Sequence, residues 1–524
     1  MPANRLRFVW PALCLLLIGG LIFSQIYWRK QVRAATAQAA KKSKPKAAFD
    51  KRDSGYLRSL AATLGYEKEP PFKTGDATRL SAYDRIELNK YWAMARGGDP
   101  ATFETRHFEP TQRSKPALAP TMQVALESPF TQLRYELTNK TDRTLPAPIL
   151  FGADRWDSPE ALVAQAGFKD IADEVERAVA IWRFVCAHRV FGDPPTEGKE
   201  EHDALKFLGI YGYGFCDDTA RAVATLADLS GLKGRVWALE GHLVAEVMAG
   251  GRWRMLDADQ QAYFHKRDAP LEIHGVEELA ADRANFDVLV SFRGVGDYPR
   301  KYMDCFLTPE NNKIDEGGTA EHRLQPTLRG GERMTFTNYN WGRYFLGKYP
   351  TPPPRFFNGY FTYNFHPRDL VAVSGKVDAE PIEGGHRLTN QGRAAATARL
   401  EFAYPFPVVG GVIQGTVATT AGKASARLED SEHDRTIYPQ LIGNLRISLD
   451  RFISVLANTP TYRYALLFIL EPGAALEVRD LQFTSDFQCS SLPLVPLKQG
   501  ANEFRAHFPE GSDAGSFELE IATK

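Results

Sequence analysis

Apolar residues change their period along this chain, and the changes divide it into segments. Between Thr121 and Gly152 apolar and polar positions alternate in MQVALES and LRYELTN, with turn residues in NKTDR and PAP. A period of two predicts short strands. From Asp173 to Gly192, in DEVERAVAIWRFVCAHRVFG, the period lengthens and gathers Val175, Val179, Trp182, Val185 and Cys186 on one helical face. Cys186 is therefore expected in the core. GFCDDTARAVATLADLSG, Gly214 to Gly231, repeats the helical period through Ala220, Val223, Ala224, Leu226, Ala227 and Leu229, and Gly231 stops it. VWALE, HLVAEVMA and RWRMLD then read as strands, the last two joined by a tight turn at Gly250 and Gly251.

Beyond Cys305, short alternating runs such as RMTFTNY, GYFTYNFH, TARLEFAY, LEVRDLQFTS and SFELEIA are punctuated by Gly and Pro. They predict one or two all-β sandwiches of jelly-roll type. Towards the N-terminus, Arg52 to Arg96 holds two helical patterns, and residues 31 to 50 mix small and basic residues without a period, as a solvated stalk does. FVWPALCLLLIGGLIFSQIYW, from Phe8 to Trp28, carries no charge and is long enough to span a bilayer.

These patterns predict a transmembrane signal anchor at 1–30, a stalk at 31–50, and a helical collar with a small β segment at 51–152. A central domain at 153–305 and a β-sandwich region at 306–524 follow. The anchor is expected to be a single pass that places the large domain on the periplasmic, extracytoplasmic side. Arg29, Lys30, Arg33 and the lysines after them outnumber Arg5 and Arg7 and favour the opposite orientation.

Composition adds exclusions. The 64 basic and 64 acidic side chains cancel, so no net field invites nucleic acid. Cys14, Cys186, Cys216, Cys305 and Cys489 form neither a C-x-x-C pair nor a disulfide framework, and a Cys186–Cys305 bridge is the one pairing considered. His188, His202, His265 and His274 lack the spacing of a helical zinc motif, so no metal and no cofactor is expected.

Cys216 stands at the start of its helix, where free N–H groups and the helix dipole favour a thiolate. Pairing Ala249 with Arg252 across the turn brings His242 level with Asp259, and Asp257 two residues nearer the turn. A thiol, an imidazole to move its proton and a carboxylate to orient the imidazole are the groups of nucleophilic acyl transfer. Spacing leaves Asp259 open as an alternative to Asp257. A buried packing role for Cys216 also stays open.

FCDDTA at a helix head, then GRVWALEGHLVAEV, then GRWRMLDAD together resemble the transglutaminase-like superfamily, relatives of papain-type cysteine proteases. The likeness covers roughly Asp173 to Ala262. It implies an α+β fold: a transglutaminase-like core, here with an N-terminal membrane anchor and a C-terminal all-β sandwich. It implies an acyl-transfer enzyme, a protease, an amidase or a transglutaminase, with a thioester on Cys216, His242 as general acid and base, and Asp257 as orienting carboxylate. Protein or peptide is the substrate class implied, with hydrolysis favoured over cross-linking. Asp217 and Asp218 depart from what a thiolate wants, because their charge opposes it; with Tyr213 they are candidates for substrate binding.

Aromatics crowd Gly331 to Phe365, and Trp341, Tyr339 or Tyr344 would suit stacking on a sugar ring. The run LEVRDLQFTSDFQCSSLPLVPLKQGANEFRAHF resembles the closing strands of bacterial jelly-roll modules found with carbohydrate-active proteins, which makes a polysaccharide in a cell-envelope setting a second candidate partner. An inactive scaffold or a glycan-binding envelope protein is the alternative to the enzyme.

Overall fold

The structure is a computed structural model. It describes residues 108–524 except 193, 197–198, 287, 292–299, 309–311, 316–317, 340–343, 346–355, 431–433, 439–441, 450–452 and 454–458. The expected anchor, stalk and helical collar, and Trp341, lie outside the described residues. No helix among the described residues is long and apolar enough to cross a membrane.

The described residues are 45% strand and 20% helix, which corrects the expected α+β class to a mostly β chain. That expectation took its class from the resemblance over Asp173 to Ala262, the stretch that holds helices Glu174–His188 and Cys216–Leu229. The strands on both sides of them in sequence outweigh these helices and join one another. Leu133–Asn139 lies between Phe517–Thr523 and Arg333–Thr337, antiparallel to both, in a ten-stranded sheet. Thr121–Leu126 pairs with Gly500–His507, which also pairs with Ile149–Phe151. The N-terminal β segment is thus woven into the C-terminal sheets.

Alternation accounts for the layering. Leu133, Tyr135, Leu137 and Asn139 are buried while the residues between them are half-buried, as one inward face requires. A five-stranded sheet runs from Val371–Ser374 through Ala396–Ala403, Arg463–Leu470 and Ala424–Asp430 to Asp434–Tyr438. It meets the large sheet through ring pairs such as Phe402–Phe483, with centroids 4.7 Å apart.

The middle of the chain builds a four-stranded antiparallel sheet in the order Arg252–Leu256, His242–Ala249, Lys233–Leu239, Lys313–Asp315. Gly250 and Gly251 both take left-handed backbone, φ 59° and 72°, the pair a tight hairpin turn demands. Arg252 consequently pairs with Ala249. Helix Cys216–Leu229 lies against this sheet, and its small residues Ala220, Ala222, Ala224 and Ala227 are buried.

Backbone approaches backbone at Gly234, where a Cβ would stand 2.5 Å from Ala224 Cα and 2.7 Å from its carbonyl carbon. Gly234→Ala is therefore expected to lower stability by about 1–3 kcal/mol, the range for overpacking. Urea unfolding monitored by circular dichroism measures it. An unchanged midpoint would show that the helix can withdraw without cost.

The segment ahead of Cys216 is fastened to residues next to the strands Ala475–Cys489 and Arg463–Leu470. Ser490 Oγ donates to Leu208 O, and Ser490 N donates to Gly209 O at 3.1 Å. The Tyr211 hydroxyl (3.0 Å) and the Tyr462 hydroxyl both donate to Glu200 Oε1, while Lys206 Nζ holds the other Glu200 oxygen at 2.7 Å.

Candidate active site

Cys216 is the first residue of its helix, with Phe215 as N-cap. Its backbone N–H belongs to the first turn, which has no partner inside the helix. The thiol is free and half-buried. Cys186, Cys305 and Cys489 are free and buried, so no Cys186–Cys305 bridge forms.

The hairpin register selects the carboxylate. Leu256 pairs with Ala245, so Asp257 stands opposite Val244, on the same sheet face as His242 and diagonal to it. His242 Nε2 lies 2.7 Å from Asp257 Oδ2. The His242 side chain also hydrogen-bonds Cys216. With Nε2 committed to Asp257, Nδ1 is the ring nitrogen left for the thiol.

Asp259 would reach the level of His242 only if the strand continued. Instead the chain turns between Asp257 and Ala262, with Gln261 in left-handed backbone at φ 56°. Asp259 swings away to Arg189, 3.1 Å distant. Arg189 Nε and Nη2 donate to Ala258 O at 3.1 and 2.7 Å, and Trp182 Nε1 donates to Asp257 O at 2.9 Å. Helix Glu174–His188 and its C-cap Arg189 thereby fix the backbone that carries Asp257.

Two further donors reach the Asp257 carboxylate. Gln260 N donates to Oδ1 at 2.9 Å, and the Tyr302 hydroxyl donates to Oδ2, the oxygen already facing His242. Tyr302 was not legible in the sequence: it lies 45 residues beyond Asp257, in helix Arg300–Phe306, and no spacing rule connects the two. The only signal was a tyrosine in a short apolar run.

Electrostatics follow from burial and pairing. Burial opposes charge on His242, but the Asp257 carboxylate and Cys216 outweigh it and raise the imidazole to about 11. Burial likewise opposes charge on Asp257, and the His242 charge with the three donors holds the carboxyl below its ordinary value.

Asp217 and Asp218 differ: Asp217 keeps its charge and Asp218 is pushed towards losing its own. Asp218 is buried, and its Oδ2 accepts from Phe215 N at 2.8 Å, capping the helix. Burial, then Asp217, pushes its carboxyl well up towards the uncharged form. This corrects its reading as a substrate-binding residue. Asp217 stays half-buried and turns to His202, whose Nε2 lies 3.2 Å from its Oδ2; burial is outweighed there, and the carboxyl is held low. His202, Asp217 and Asp218 place ligand-type atoms within 4.8 Å of one another, a grouping that residue spacing did not suggest.

Tyr213 is corrected in the same way. It is buried and bonded to Gln488, leaving no face for a substrate. Tyr339 is buried as well, and Tyr344 packs on Phe356 with centroids 5.1 Å apart. Phe191, exposed and with its ring 5.6 Å from that of Phe215, is an apolar neighbour of the N-cap of the Cys216 helix.

No family model matches the chain, and no curated protein matches it. Among solved structures it is similar to variants of a family 29 carbohydrate-binding module. One is 15% identical, with 23% of this chain and 89% of the module covered at a TM-score of 0.16. Two others are 15% identical, with 24% and 91% covered at a TM-score of 0.17. Likeness at those scores carries no argument about fold or ligand.

Proposed function

We propose that this chain is a cysteine-dependent acyl-transfer enzyme acting on carboxamide or peptide bonds of protein or peptide substrates. The observation that carries the reading is the continuous line from Cys216 through His242 to Asp257, with Nε2–Oδ2 at 2.7 Å inside a buried corner. The Cys216 thiolate attacks the carbonyl carbon, and the oxyanion forms beside the Cys216 N–H at the helix start. Protonated His242 gives its proton to the departing amine, leaving a thioester. Water then attacks while His242 takes its proton, and the acid product leaves with Cys216 restored. The Cys, His, Asp order of the transglutaminase-like superfamily supports the same roles, and hydrolysis is preferred to cross-linking on that resemblance.

Two measurements test this. Iodoacetamide at pH 6 should modify Cys216 faster than free cysteine, read by peptide mass spectrometry; the buried Cys186, Cys305 and Cys489 should lag. Incubation with a mixed peptide library should yield new amino termini or glutamine-to-glutamate conversions that Cys216→Ala abolishes. Isopeptide products would move the reading to transamidation. Ordinary thiol reactivity with no products would overturn it in favour of a non-catalytic scaffold, and retention on polysaccharide would then identify a glycan binder.

A further inference from the structure

Asp257 is buried, and its Oδ2 receives two donors, His242 Nε2 and the Tyr302 hydroxyl. With His242 and Gln260 alone the carboxylate plane could tilt; a third donor, arriving from a different element, defines it. The Tyr302 ring also sets its edge against the imidazole, with centroids 5.4 Å apart and planes at 69°. That ring is itself fixed, lying near-parallel to Phe264 at 6.5 Å and edge-on to Phe306 at 5.3 Å.

We infer that Tyr302 is a positioning residue for the relay: its hydroxyl and ring hold the Asp257 carboxylate and the His242 imidazole in the orientation that points the second ring nitrogen at the Cys216 thiol. The inference rests on the acyl-transfer reading of the site. It assigns helix Arg300–Phe306 a role beyond packing. The Tyr302 hydroxyl reaches the Asp257 carboxylate, and it is through Asp257 that Tyr302 acts.

The test is the pH profile of Cys216 alkylation. Neighbouring thiols do not confuse it: Cys305 is buried, and burial, then Asp257, pushes its thiol up to about 12. Tyr302→Phe keeps the ring and removes the hydroxyl. Its alkylation midpoint should rise by about one pH unit, with a roughly tenfold slower reaction on the acid side, as the imidazolium loses its fixed direction. Arg283→Ala, which removes the exposed ion pair that Asp304 of the same helix makes, should keep the wild-type midpoint.

An unchanged or lowered midpoint in Tyr302→Phe, or an equal shift in Arg283→Ala, overturns the inference. The underlying reading fails differently: the wild-type midpoint would then be that of an ordinary thiol and would ignore His242→Ala. Should Tyr302→Phe not fold, proton NMR of the wild-type protein decides. It should show two exchange-protected low-field signals, from His242 Nε2–H and the Tyr302 hydroxyl, and absence of the hydroxyl signal counts against the role.

Discussion

A His242→Ala protein is expected to lose ~10²–10⁴-fold in acyl transfer, the range for removing a positioned general acid and base. Its Cys216 alkylation should collapse to a single midpoint near the ordinary thiol value of about 8.5. Wild-type alkylation should by contrast stay fast well into the acid range. His242 is raised above its ordinary 6.5 to about 11, so the stabilisation from its charge is full below 6.5 and is lost as pH rises through about 11. Asp257 is held below its ordinary 3.8, so its contribution is present above 3.8 and is lost as pH falls through the lowered folded value. The pair is therefore intact across the neutral range, and the acid limb of the wild-type profile marks protonation of the thiolate pair. Stopped-flow alkylation across pH 4 to 10 measures both proteins. Superimposable profiles would mean that His242 does not set the state of Cys216.

Arg189→Ala should cost about 3–5 kcal/mol, the penalty for leaving one partner of a buried ion pair behind. Arg189 and Asp259 are both buried, with 1% and 2% side-chain exposure, and the same guanidinium holds the carbonyls of Ala258 and Asp259. Losing it strands a carboxylate and frees the turn that carries Asp257. Guanidinium unfolding measures the loss, and adding Asp259→Asn should recover part of it by removing the stranded charge. A loss below about 1 kcal/mol would mean that the turn holds itself, as surface pairs of that worth do.

What the sequence disclosed was local. The turn at Gly250 and Gly251 and the alternation around it are short-range patterns, so the pairing of Ala249 with Arg252 could be read from them, while the choice between Asp257 and Asp259 stayed open. The helix behind Cys216 was visible from its apolar period. Everything decided by distant chain was not. Tyr213 was a candidate for substrate binding, yet it is buried and bonded to the distant Gln488. Asp217 and Asp218 looked like like-charged obstacles, but one caps its helix and the other turns to His202. Tyr302 has no local signature, because its partner is chosen by how a later helix packs.

The same distance explains the fold class. Strands could be recognised one by one, whereas their partners could not. The run LRYELTN read as a small separate segment; it is an inner strand between Phe517–Thr523 and Arg333–Thr337. Edge and interior strands share the same alternation, and register with a remote partner leaves no mark in either sequence.

The pairing of Thr121–Leu126 with Gly500–His507 also has a consequence in time. Gln123 and Glu503, hydrogen-bonded across it, are 380 residues apart in the chain. At roughly 5–20 residues per second on a ribosome, the first strand waits about 20–80 s for its partner to be made. The central helix and hairpin, whose contacts are nearer in sequence, can form in that interval, while the early strands stand with open edges. Thr121–Leu126 and Leu133–Asn139 are therefore the edges most exposed to wrong pairing while the chain is being made.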